Sequence, residues 1–137
     1  MQTSNDIKTF LYKYIKNSEL YSAIQTKGGE LYKTDRPLNS DKADCVIRIL
    51  TMVNGVYGKA TAYVNIYVKD IQTDKNTFIE DTLTTAYFEK VIANEFDKYK
   101  CCSDIYRVFL EDMVVLNITE TREHCVNTKL SIDIVNY

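Results

Sequence analysis

The side chains whose types could do chemistry are few: one histidine, His124, its neighbour Cys125, and the adjacent pair Cys101-Cys102. A structural zinc site draws its four ligands from Cys and His, with the cysteines spaced as C-x₂₋₄-C. Only a vicinal pair is present here, and its short backbone connection keeps both sulfurs from chelating one ion. A Cys–His nucleophile fares no better, because adjacent residues in a strand point to opposite faces. The acid pairs Glu80-Asp81 and Glu111-Asp112 read as a helix start and a strand irregularity. As catalytic carboxylates they would need apolar pockets to separate their pKa values, and none is legible. The four glycines are scattered at turns and form no phosphate loop. No catalytic, cofactor-binding or metal residue is therefore expected, and the chain reads as a non-enzyme.

Length and composition fit that reading. The chain's 137 residues suit one domain spanning 1–137, and 45% hydrophobic with 26% charged content is ordinary for a globular protein. A net charge of −2 gives no support for nucleic-acid binding, which usually shows a basic surplus. The opening MQTSNDIKTF lacks a basic region followed by an apolar run, so no signal peptide is expected. No stretch approaches the ~20 apolar residues of a membrane span. The expected compartment is the cytoplasm, with all four cysteines as thiols.

The elements that must position these residues follow from periodicity. Ile7, Phe10, Leu11, Tyr14 and Ile15 mark one face of an N-terminal helix, with Ser4, Asn5 and Asp6 as cap oxygens. Asn17-Ser18 interrupts it. Leu20, Ala23 and Ile24 form the stripe of a short second helix that Gly28-Gly29 ends. Residues 30–42 read as an extended connection around Pro37. Strands near 44–53 and 57–69 flank Asn54-Gly55, the pair that best tolerates a type I′ turn. A two-residue turn would set Ile49 opposite Ala60, Ile47 opposite Ala62 and Cys45 opposite Val64. Thr77 and Glu80 suggest a capping box. From there a stripe of Ile79, Leu83, Tyr87, Phe88, Val91, Ile92 and Phe96 predicts a helix to about Tyr99, about 30–35 Å long. Tyr106–Ile118 and 126–135 read as a second hairpin. The expected fold is α+β: an antiparallel four-stranded sheet of two hairpins, with an N-terminal helix and one long central helix packed on one face.

Eleven tyrosines and no tryptophan are the unusual feature of composition. Tyr14 and Tyr87 fall on core stripes, as packing residues with a wet hydroxyl. Tyr63 and Tyr67 instead alternate with polar residues on the sheet face away from the helix. Solvated cross-strand pairs are the plain explanation. The sharper one is a subunit interface, because a face presenting Arg48, Tyr63, Asn65 and Tyr67 carries the residue types enriched there.

The wording of residues 29–70 resembles small tail-completion or tail-terminator proteins of tailed bacteriophages, of the type found in phages of Bacteroides-like hosts. The matching positions are Gly29, Leu31, Tyr32, Arg36, Pro37, Asn39 and Ser40, then Val64, Asn65, Ile66, Tyr67 and Val68, with EHCVNTKLSIDI similar to the family's last strand. The resemblance implies a virion structural protein of the head–tail joining region, made in the host cytoplasm. Its copies would form a homo-oligomeric ring, taken as a hexamer, that caps the tail tube and joins it to neck or connector proteins. DNA would only pass through the lumen, and no membrane is involved. A ring needs two different patches per subunit. The polar sheet face and the arm bearing Tyr32, Arg36 and Pro37 are the candidates. The alternative from another class is a small cytoplasmic binding or regulatory module of unknown ligand.

Overall fold

A computed structural model of the chain describes residues 2–97 and 100–135. Among these residues, helices α1 (Ser4–Lys16), α2 (Glu19–Thr26) and α3 (Thr82–Glu95) cover one face of a mixed sheet. The sheet's strands are β1 (Leu31–Tyr32), β2 (Cys45–Val53), β3 (Tyr57–Lys69), β6 (Tyr106–Ile118) and β7 (Glu123–Val135), in the order β1-β2-β3-β7-β6. A separate small sheet pairs β4 (Ile71–Asp74) with β5 (Thr77–Ile79). The expected four-stranded antiparallel sheet is thus corrected: the sheet has five strands, and the β1–β2 pair is parallel. The fifth strand was missed because two residues are too short to show a period.

The first helix begins on a capping box in which Thr3 Oγ1 accepts from Asp6 N at 3.2 Å and Asp6 accepts from Thr3 N at 2.9 Å. The cap is Thr3 rather than Ser4, Asn5 or Asp6. Ile7, Leu11 and Ile15 are fully buried, as are Leu20 and Ile24 of α2. Each such side chain contributes about 1.5–3 kcal/mol of hydrophobic stabilisation. α1 lies against β2, and α3 lies against β7 with lighter contact to β3 and β6, so two helices share the sheet rather than one crossing it.

α3 begins later than Thr77 and Glu80 suggest. Thr77 is in β5, and the helix is capped by Asp81, whose carboxylate accepts from Thr84 N at 3.2 Å. The segment expected to open the helix is instead the β4–β5 hairpin. With 14 residues, α3 spans about 21 Å. Its buried positions are Thr85, Phe88, Ile92 and Glu95, which leaves Leu83 86% exposed and Tyr87 40% exposed. Tyr99, the expected end of the stripe, lies outside the described residues.

The β2–β3 hairpin occupies the expected spans but in another register. Cys45 pairs with Ile66, Ile47 with Val64 and Ile49 with Ala62, two residues away from the two-residue-turn alignment. A bulge at Leu50 and a longer connection after Val53 account for the slip. Neither Asn54 nor Gly55 has the positive φ that a type I′ turn requires. An even slip leaves the faces unchanged. Ala60, Ala62, Val64, Ile66 and Val68 are buried, whereas Tyr63, Asn65 and Tyr67 sit on the opposite, outer face.

Strand β6 is one continuous element with a register shift between Leu110 and Asp112, so Glu111-Asp112 is the expected irregularity. In β7, Leu130, Ile132 and Ile134 are buried. Thr128 is buried between its cross-strand partners Val64 and Met113, and its hydroxyl finds no hydrogen-bond partner among the described residues. Thr128→Val should therefore stabilise the fold by about 1 kcal/mol, the desolvation cost of the orphaned hydroxyl. Chemical denaturation would show it as a raised midpoint at unchanged slope, and a lowered midpoint would contradict it.

Candidate assembly surface

The helix-facing side of the sheet is consumed by the core, so a surface for partners must be sought on the outer face. The strand pairing sets what that face presents: Arg48 opposite Tyr63, Tyr63 opposite Lys129, Asn65 opposite Asn127, and Tyr67 opposite Cys125. Asn127 Nδ2 donates to Asn65 Oδ1 at 2.6 Å. Three cations near this face are matched by carboxylates: Arg48 with Asp35 at 2.7 Å, Lys59 with Asp133 at 3.1 Å and Lys129 with Glu111 at 3.7 Å. These are exposed pairs, each contributing at most about 1 kcal/mol. They set local charge rather than stability.

One end of the outer face is covered by the arm between β1 and β2. Arg36 leaves the β1 margin and reaches across the sheet, its guanidinium carbon 4.2 Å from the centre of the Tyr67 ring. Its Nη2 donates to Ser40 O at 2.6 Å and lies 3.1 Å from Glu123 Oε2, and its Nε lies 3.5 Å from Asp44 Oδ2. Asp44 and Glu123 are both almost fully buried. Asp44 also accepts from Glu30 N at 3.0 Å and from the Ser40 hydroxyl. Burial is the main reason the Tyr67 hydroxyl is pushed above its ordinary pKa.

The arm's motif residues therefore converge on one device. Gly29 passes against the backbone of Ala43, Leu31 is buried in the core, Asn39 takes a left-handed turn at φ 60°, and Ser40 and Arg36 hold Asp44. Of the residues singled out in the sequence, Arg36 is occupied inside the subunit and is only 14% exposed. Tyr67 lies half-covered beneath it. Tyr32 is partly buried on β1, where it pairs with Val46, and burial pushes its hydroxyl up too. Pro37 is exposed at the arm's outer bend, beside a Leu38 that is 92% exposed. Arg48, Tyr63 and Asn65 lie on the uncovered part of the face. Asp44 and Glu123 were missed by sequence reasoning. The sole signal for Glu123 was its place on the outer-face alternation of the last strand, which does not announce burial.

The histidine sits elsewhere. His124 pairs with Val68 on the helix side, while Cys125 pairs with Tyr67 on the outer side, so the two do point apart. His124 Nδ1 lies 2.6 Å from Asp70 Oδ1, and Nε2 lies 3.7 Å from Glu80 Oε1. The far carboxylate oxygen of Glu80 accepts from the buried Thr85 hydroxyl at 2.7 Å. Asp70 precedes β4 and Glu80 follows β5, so His124 ties both feet of the small hairpin to the end of β7. Among the described residues, no group of three or more His, Cys, Asp or Glu is placed to hold a metal ion. Burial pushes the Cys101 and Cys125 thiols up to about 12, which makes them poor nucleophiles near neutral pH. No helix among the described residues is long and apolar enough to cross a membrane.

The hydroxyl of the partly buried Tyr14 directs its one hydrogen at Glu95, 2.9 Å from Oε1 and 3.1 Å from the carbonyl oxygen, and so serves a buried carboxylate where α1 meets the end of α3. Together these features define a two-layer α+β domain whose sheet keeps one polar face open. No protein-family profile matches the chain, and no curated protein sequence matches it.

Proposed function

We propose that this protein is a virion structural subunit of the head–tail joining region of a tailed phage, working as a ring that caps the tail tube and meets the neck. The observation that carries the reading is the asymmetry of the sheet. Helices cover one face, while most of the other lies bare with Tyr63, Asn65, Asn127 and Lys129 in rows. A subunit that must line a passage needs such a face. The pairing of Arg48, Lys59 and Lys129 with carboxylates suits a lumen that DNA passes without being held, because phosphate binding depends on cations able to displace counterions. The resemblance of the 29–40 and 64–68 segments supports the same reading, and the arm that the first of them builds is a defined structural unit, clasped onto Tyr67 of the second.

The test is electron microscopy and light scattering on the purified full chain at high concentration, alone and with tail-tube protein from the same genome. Closed rings, or recruitment to tube ends, support the reading. A strict monomer under all these conditions overturns it and favours a small binding module. Arg48→Ala with Tyr63→Ala should leave the fold intact, since both side chains reach solvent, and should alter how the ring engages what lies in its lumen.

A further inference from the structure

Each margin of the five-stranded sheet is covered over only part of its length. β1 pairs with β2 at Cys45 and Val46 alone, which leaves residues 47–53 with no strand on that side among the described residues. At the other margin, β6 is flanked near its start by the preceding segment. Cys102 bridges Arg107, Val108 N donates to Cys101 O at 3.0 Å and Ser103 N donates to Tyr106 O at 2.8 Å. Among the described residues, nothing pairs with the outer side of 112–118. Both bare stretches carry exposed apolar side chains, Leu50 and Val53 on one and Val114 and Leu116 on the other. Natural sheets usually blunt edges of this kind, and an uncovered apolar edge marks a place where another strand adds.

We infer that the two open half-edges pair with each other between copies of this chain, β6 of one subunit continuing its sheet into β2 of the next. Three features select a second copy as the occupant. First, β2, β3, β7 and β6 are each antiparallel to their neighbour, so β2 and β6 run in opposite directions. A copy displaced sideways without being turned over meets β6 with an antiparallel β2. Second, the stretches 47–53 and 112–118 match in length. Third, their faces match in register. Thr51 and Val114 both lie on the outer face, and Met52 and Met113 both lie on the helix face, so aligning Thr51 with Val114 keeps core beside core.

The same geometry says how the array closes. Residue 115 lies level with Cys45 through Val126 and Ile66, whereas the open stretch of β2 centres on Leu50. Each copy is therefore displaced along the strands by about five residues, roughly 16 Å, for the roughly 19 Å spanned by the four strands β2, β3, β7 and β6 of each repeat. That corresponds to a strand tilt of about 40°, within the range found in closed barrels. The contact is heterologous, which gives a ring when the rotation closes and a filament when it does not. The inference rests on the ring reading for closure, and not for the pairing itself.

Disulfide trapping tests it. In a Cys102→Ser background, Thr51→Cys and Val114→Cys are introduced together and separately, and the full chain is oxidised at a concentration where association is measured. The double variant should give a ladder of covalent multimers ending at the closed ring, while each single variant stays monomeric on a denaturing gel. Val114→Lys with Leu116→Lys, at positions exposed in the single subunit, should keep the fold and lose association. Dimers from either single variant, or an associating protein whose double variant gives no ladder, would overturn the edge pairing. Rings without the ladder leave the ring reading standing alone. A ladder that grows into open filaments keeps the pairing and removes the tail-terminator reading. A protein that neither associates nor cross-links ends both.

Discussion

Replacing Arg36 with methionine is expected to cost about 3–5 kcal/mol of folding stability, because it leaves buried carboxylates without their cation. Asp44 is 1% and Glu123 3% exposed, and both lie within 3.5 Å of the Arg36 guanidinium. Asp44 cannot turn to water without loosening the end of the sheet, since its carboxylate accepts from Glu30 N and its carbonyl accepts from Tyr67 N at 3.0 Å. A double-mutant cycle separates charge from packing. Adding Glu123→Gln to Arg36→Met should recover about 1–2 kcal/mol, the size of coupling expected for direct partners. Arg36→Lys should fall between, since an ammonium keeps the charge but cannot reach Ser40 O and Glu123 while stacking on Tyr67. Equilibrium denaturation at neutral pH measures all three. A loss below about 1 kcal/mol for Arg36→Met would mean that the cluster behaves as a solvated surface pair.

Gly29→Ala is expected to be nearly as damaging, with a loss of about 3 kcal/mol, at the upper end for overpacking. The chain leaving α2 crosses the chain entering β2 at this residue. A Cβ built there would stand 1.7 Å from Ala43 O and 2.3 Å from Ala43 C, both backbone atoms that cannot swing aside. Relief requires moving the start of β2 away from Glu30, whose carbonyl accepts from Cys45 N at 2.9 Å, and so breaking the parallel β1–β2 pair. The neighbouring Gly28 is the control. Its φ of 84° disfavours alanine by about 1 kcal/mol, but a Cβ there meets nothing within 4 Å. Thermal or chemical unfolding should rank Gly29→Ala well below Gly28→Ala. Equal losses would show that backbone conformation, and not the crossing, sets the glycine requirement.

These two sites also explain what the resembling segment encodes. Gly29, Arg36, Asn39 and Ser40 read in the sequence as a bare motif with no chemistry attached. In the structure they are the crossing, the clamp, the turn and the latch of one arm, folded over the outer face on the side opposite the helices. The arm brings Arg36 to Glu123, a residue at the far end of the chain, which no local spacing reports. Arg36 and Tyr67 were candidates for contact with a partner. The fold uses them on each other, and leaves Arg48, Tyr63 and Asn65 to face outwards.

What the sequence determined alone is what a short-range period can carry. Residues 7–15 and 20–24 repeat at helical spacing, and Ile7, Leu11, Ile15, Leu20, Ala23 and Ile24 are buried while Phe10 and Tyr14 are partly so. Residues 45–49 and 60–68 alternate, and Cys45, Ile47, Ile49, Ala60, Ala62, Val64, Ile66 and Val68 share the helix-facing side in either register, because an even slip conserves the face, whereas the apolar Val46 is buried on the outer side. Tertiary structure decided everything that depends on distant partners. The longer connection after Val53 moved the pairing by three residues and the bulge at Leu50 took one back, which overrode the Asn-Gly turn signal, and the β4–β5 hairpin claimed Thr77 before α3 could. Placing β7 between β3 and β6 left β6 and β2 as the sheet's incompletely covered margins. Strand order and edge exposure are properties of which segments meet, and a chain read residue by residue holds only the faces they will bring to that meeting.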